Sequence, residues 1–110
     1  MKTLTVAVAC AGMALILTRA FPAEKKGDAA KGQAVFAQQC AVCHNADSTE
    51  KKMGPGLKGL YKKATLTDGK KVTDANVRAK IDAGGNGMPA FKEMLSDQEK
   101  DELLAYLKTL

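Results

Sequence analysis

The chain has 110 residues, of which 26% are charged and 5% aromatic, with no tryptophan. That length gives one domain whose core is small, so a multidomain architecture is excluded and a fold that takes apolar bulk from a bound group is favoured. The formal net charge is +5, from 17 basic and 12 acidic residues.

The N-terminus has its own layout. Lys2 precedes an apolar run over 4–17, broken only by Thr5 and Gly12, and Thr18-Arg19-Ala20 follows. A charged start, a short apolar middle and small residues at the cut describe a secretory leader. Residues 1–20 are therefore expected to be removed after Ala20, with cleavage after Ala23 as the alternative. Residues 21–27 then form a polar lead-in, and 28–110 form the domain. An uncleaved anchor is disfavoured, because a run of about 14 residues falls short of the roughly 20 that a membrane span needs. Ala7-Val8-Ala9-Cys10 lacks the leucine of a lipoprotein signal. The protein is expected in the periplasm or otherwise exported, and loss of Lys2 and Arg19 lowers the formal charge by two, from +5 to +3.

Asp28 offers an N-cap, and Ala29, Gly32, Phe36 and Cys40 recur at helical spacing, which predicts a first helix over 29–40. Gly32 costs such a helix up to about 1 kcal/mol against alanine. A glycine there marks the close approach of another backbone. Residues 45–63 are rich in lysine and glycine and read as an irregular loop with a short helical turn near 57–61. Thr67-Asp68-Gly69-Lys70 reads as a turn. Thr73 or Asp74 caps a helix over 75–83, with Val77 and Ile81 facing inward and Gly84-Gly85 stopping it. Met94, just before the last helix, is expected in the core. Ser96-Asp97-Gln98-Glu99 reads as a capping box, and Leu103, Tyr106, Leu107 and Leu110 form one apolar stripe behind it. The two terminal helices are expected to cross with Tyr106 near Gly32. No strand of useful length and no internal repeat appears.

The chemistry is concentrated in Cys40-Ala41-Val42-Cys43-His44. A Cys-x-x-Cys-His run attaches c-type haem: two thiols add across the vinyl groups, and the adjacent imidazole becomes an axial iron ligand. At a helix end, positions i, i+3 and i+4 share a face, so all three groups can point at one flat ring. Zinc wants about four Cys or His ligands, whereas the chain has three cysteines and one histidine, with Cys10 in the leader. A thioredoxin-like Cys-x-x-Cys should follow a strand, and this one follows a helical pattern.

A second axial ligand has to come from elsewhere, because there is no second histidine. A thioether binds iron and raises its potential, which points to methionine. Met1 and Met13 belong to the leader, Met53 is too near His44, and Met94 reads as core. Met88 stands in Gly85-Asn86-Gly87-Met88-Pro89-Ala90-Phe91, where glycines allow close backbone approach and Pro89 stiffens the loop. Met88 is the expected ligand.

With Gly32 and Phe36, the 40–44 run, Gly54-Pro55-Gly56-Leu57, the methionine loop and Tyr106-Leu107, the chain resembles the small bacterial class I cytochromes c from about residue 27 onward. The resemblance implies an all-α fold of three to four helices around one covalently attached haem c, acting as a one-electron carrier. It also implies that the Pro55 carbonyl accepts a hydrogen bond from the His44 ring and so sets its tautomer. Residues 64–73 match no propionate contact of that family. With His44 and Met88 both on iron, no open position remains for a substrate, so the protein is not expected to be an enzyme. A haem subunit of an oxidoreductase complex and a haem-based gas sensor are the alternatives.

Lys51, Lys52, Lys58, Lys62, Lys63, Lys70 and Lys71 fall between the haem motif and the next helix, offset locally only by Glu50 and Asp68. They read either as an ordinary solvated surface or as a docking face for acidic redox donors and acceptors, brief contact with membrane complexes included. Nucleic acid is not an expected partner of an exported chain so poor in aromatic residues. A monomer is expected.

Overall fold

The computed structural model of the protein describes residues 27–110. The expected leader, the lead-in up to residue 26, and Cys10, Met1 and Met13 lie outside the described residues. Three helices follow in order: α1 (Ala29–Gln39), α2 (Asp74–Ala83) and α3 (Asp97–Leu107), with a 3-10 turn at Leu60–Lys62 between α1 and α2. Among the described residues the extended backbone makes only two isolated bridges, Thr65 with Lys71 and Gly85 with Met88.

Local chemistry sets the helix ends. The Asp28 carboxylate accepts from the Ala30 N–H at 2.9 Å, and the Thr73 hydroxyl accepts from the Asn76 N–H at 3.1 Å. Ser96 and Glu99 form the full reciprocal box, with the Glu99 N–H donating to Ser96 Oγ at 3.1 Å and the Ser96 N–H donating to Glu99 Oε1 at 3.2 Å. Each satisfies backbone donors that a helix start leaves without partners, worth about 1 kcal/mol per cap. α1 stops one residue before the expected end, with Cys40 as its C-cap. The turn expected near 57–61 lies slightly later, at Leu60–Lys62.

α1 and α3 pack directly on each other. Their closest approach is at Gly32, where a Cβ would overlap the Glu102 carbonyl and lie 2.9 Å from the Tyr106 Cβ. Only a residue without a side chain lets the backbones meet there, which offsets the helix propensity that glycine forfeits. One turn on, the Phe36 and Tyr106 rings lie 5.5 Å apart at 58°, a tilted aromatic pair. The core consists of Val35, Phe36, Leu60, Val77, Ile81, Phe91, Leu95, Leu103, Leu104 and Leu107. Val35 and Leu104 widen the two apolar stripes beyond the positions read from spacing, and Leu110 lies past the end of α3, packed against the core.

One expectation is overturned. Met94 is 56% exposed. The turn after Phe91, closed by the Leu95 N–H donating to the Phe91 carbonyl at 3.1 Å, sends Phe91 and Leu95 inward and leaves Met94 outside.

Charged groups tie the helices at the surface. Arg78 of α2 donates to Asp101 of α3 at 2.6 Å and to Asp97 at 2.9 Å. Asp74, at the start of α2, accepts from the Tyr61 hydroxyl at 3.0 Å and from the Lys108 ammonium at 2.7 Å. The Lys108 hydrogen bond holds the Asp74 carboxyl below the usual carboxylate range, and burial followed by Asp74 pushes the Tyr61 phenol up. The exposed Lys108–Asp74 pair contributes little stability, whereas Arg78 is partly buried between its two acidic partners and ties α2 to α3 more firmly.

Candidate haem-binding site

The helix end delivers the motif as the spacing requires. Cys40 caps α1, and its carbonyl accepts from the Cys43 N–H at 3.1 Å and the His44 N–H at 3.0 Å. One tight turn therefore gathers both thiols and the imidazole, while Val42, 71% exposed, points away. Both thiols are free and half-buried. Burial, and then the neighbouring Cys43, pushes the Cys40 thiol up to about 11, so it is protonated at neutral pH.

The imidazole is fixed in a state that suits a metal. His44 Nδ1 lies 2.8 Å from the Pro55 carbonyl oxygen. A carbonyl only accepts, so Nδ1 carries the proton and Nε2 keeps its lone pair free for iron. Gly54 makes this possible, because a Cβ there would lie 2.8 Å from Nδ1 and closer still to Cε1. The Gly54 N–H donates to the Cys43 carbonyl at 2.8 Å, and the Leu57 N–H to the Asn45 carbonyl at 2.7 Å, locking the Gly54-Pro55 segment against the motif. The Lys52 ammonium adds a bond to the Ala41 carbonyl at 3.2 Å.

Met88 comes from a separate part of the chain, the loop between α2 and α3. It is half-buried and packs against the same core as Cys40. Met88 and Gly85 exchange backbone hydrogen bonds at 3.0 and 3.1 Å, and Asn86 between them takes a positive φ of 52°. The result is a tight hairpin with Met88 at its closing end. Met53 and Met94 are 72% and 56% exposed. Two free thiols, an imidazole with a bare Nε2 and one sheltered thioether fit a c-type haem and no other common cofactor.

Residues 27–107 match the family described as cytochrome C oxidase, cbb3-type, subunit III. The chain belongs to this cytochrome c family. A cytochrome c6 of Leptolyngbya boryana is 38% identical over 80 residues, which cover 73% of this chain and 89% of that one. A cytochrome c6 of Synechocystis sp. is 35% identical over 85 residues; the match covers 73% of this chain but only 63% of that protein's length. Among solved structures, cytochrome c6 from the diatom Phaeodactylum tricornutum superposes with a TM-score of 0.61 at 27% identity, covering 76% of this chain and 93% of that one. With its single Cys-x-x-Cys-His run, the chain is a small class I monohaem cytochrome c of all-α fold, carrying one covalently bound haem c.

Asp82 and Lys100, which meet beside the methionine loop, belong to none of the sequence motifs. The signal that could have found them is that each carries a charge opposed to its end of the helix dipole, Asp82 in the last turn of α2 and Lys100 near the start of α3.

Proposed function

We propose that this cytochrome c moves single electrons between redox proteins outside the cytoplasm, with haem tethered by Cys40 and Cys43 and His44 and Met88 as axial ligands. The bond from His44 to Pro55 carries this reading, since it places the proton on Nδ1 and leaves Nε2 free for iron beside two free thiols. When bound, the haem supplies a one-electron couple, whose potential a thioether ligand raises. His44 and Met88 together leave no open coordination position, which suits a carrier rather than a catalyst. The Gly54-Pro55 segment and the 85–88 hairpin hold these two side chains in place, so little has to move when the charge changes.

The division into a leader over 1–20 and a domain over 28–110 belongs to the same proposal. No helix among the described residues is long and apolar enough to cross a membrane. Intact mass and visible spectra of the purified protein test the whole reading at once. Expected are loss of the first 20 to 23 residues, one covalent haem, and a thioether-to-iron charge-transfer absorption in the oxidised state. Retention of 1–17 would mean a membrane anchor, and absence of that absorption would remove Met88. Carbon monoxide binding by the reduced protein at neutral pH would instead indicate a gas sensor.

The description of the matching family favours a second reading, a haem subunit of an oxidoreductase complex. Purification as a stable complex would favour that reading over a free monomeric carrier.

All seven lysines of the 51–71 cluster are exposed. As a docking face for acidic redox partners they steer encounter more than they add affinity. Electron transfer to the partner is expected to slow as salt rises, since exposed charges are screened beyond about 8 Å at physiological ionic strength. Replacing Lys62 and Lys63 by Gln is expected to lower the association rate several-fold and flatten its salt dependence. No change in either returns these residues to plain surface.

A further inference from the structure

Lys100 is only 3% exposed, whereas the other lysines among the described residues are mostly solvated. Its ammonium lies 2.7 Å from Asp82 Oδ1 and donates to the Lys92 carbonyl at 3.1 Å. The first contact is an ion pair rather than an aligned hydrogen bond, and among the described residues that buried oxygen has no hydrogen-bond partner. Burying a lysine is costly unless its charge is compensated, and both charges here also oppose their own helix dipoles. Local helix chemistry therefore explains neither residue.

Their position in the chain does. Asp82 stands in the last turn of α2, immediately before the loop that carries Met88, and Lys92 stands immediately after Phe91, where that loop ends. The two feet already meet through the backbone: the Phe91 N–H donates to the Ile81 carbonyl at 2.9 Å, and the Lys92 N–H to the Asp82 carbonyl at 3.3 Å. One ammonium from α3 binds both feet at once.

We propose that Lys100 is a positioning residue for the axial methionine: bound to Asp82 and to the Lys92 carbonyl, it staples the two feet of the 84–91 loop together on α3 and so holds Met88 in place. The inference rests on the reading of Met88 as ligand and goes beyond it, because it assigns the stiffness of the loop to a residue outside the loop. The staple is read at the local opening of the loop. Removing one partner of a buried ion pair leaves the other uncompensated and also costs global stability, so loop opening and the melt are followed separately.

The test uses the oxidised holoprotein and added imidazole, which reaches iron only when the thioether leaves. The rate is read from loss of the thioether charge-transfer absorption, and global stability from the helical circular dichroism melt. Lys100→Met is expected to raise the imidazole rate about tenfold or more, the factor for losing one charge-assisted hydrogen bond across the opening. Asp82→Asn is expected to raise it in the same direction, and decides the matter if Lys100→Met does not fold. Arg78→Gln, which breaks α2–α3 pairs away from the loop, is expected to change the melt and leave the rate alone. Unchanged rates in both staple variants, or an equal rise in Arg78→Gln, would overturn the proposal. Met88→Ala separates the two levels. If that variant keeps the absorption, the ligand reading fails; if it lacks the absorption while the staple variants behave as wild type, the ligand stands and the staple falls.

Discussion

Replacing both Cys40 and Cys43 by alanine is expected to leave no mature holoprotein. The tether is lost, and so is the means by which a small core acquires a large apolar group. Among the described residues ten apolar side chains form the buried cluster, and Cys40 itself packs against it. A core that small is expected to need the apolar surface of the haem to fold stably. Single replacements keep one attachment point and are expected to weaken or prevent covalent haem attachment. Haem stain after denaturing electrophoresis, together with far-ultraviolet circular dichroism, reads both effects. A double variant recovered folded with haem still covalently bound would contradict the attachment assigned to these thiols.

The second large effect is expected at Met88. Replacement by alanine leaves Cys40, Cys43 and the Pro55-bound His44 untouched, so the haem stays covalently attached. The oxidised protein loses its thioether charge-transfer absorption, and the reduced protein gains carbon monoxide binding. The potential falls by on the order of 0.1–0.3 V, part of the roughly 0.8 V over which axial ligands set haem potentials. Met53→Ala and Met94→Ala are expected to do none of this, and the exposure of both side chains strengthens their use as controls. If Met88→Ala kept the absorption while one of the others lost it, the ligand assignment would be wrong. The 85–88 hairpin, with its positive φ at Asn86, would then need another explanation.

Much of this protein can be read without coordinates. Asp28, Thr73 and the Ser96–Glu99 pair mark the helix starts correctly, because a cap is a bond between residues two or three apart and needs no tertiary partner. The Cys40 to His44 run is equally local, since one turn of backbone gathers its three side chains, and its proposed role in holding haem rests on that spacing. Gly32 forecast a close approach, since a glycine inside a helix is otherwise a loss. The bond between His44 and Pro55 followed from family resemblance and is present at 2.8 Å.

Burial was the part that only the tertiary structure decided. Met94 and Leu95 are both long and apolar and sit side by side, yet Leu95 is 5% exposed and Met94 56%. Nothing in their neighbourhood of the sequence distinguishes them; the direction of the turn after Phe91 does. Lys100 looks like one more helix-surface lysine until α2 and the loop after it are laid against α3, bringing Asp82 and the Lys92 carbonyl to its ammonium. Caps, turns and the haem motif are determined by neighbours in the chain, so the sequence by itself determined them. Which side chains face inward, and which charge is compensated in the interior, depends on how separate elements dock, and that contact exists only once the chain has folded.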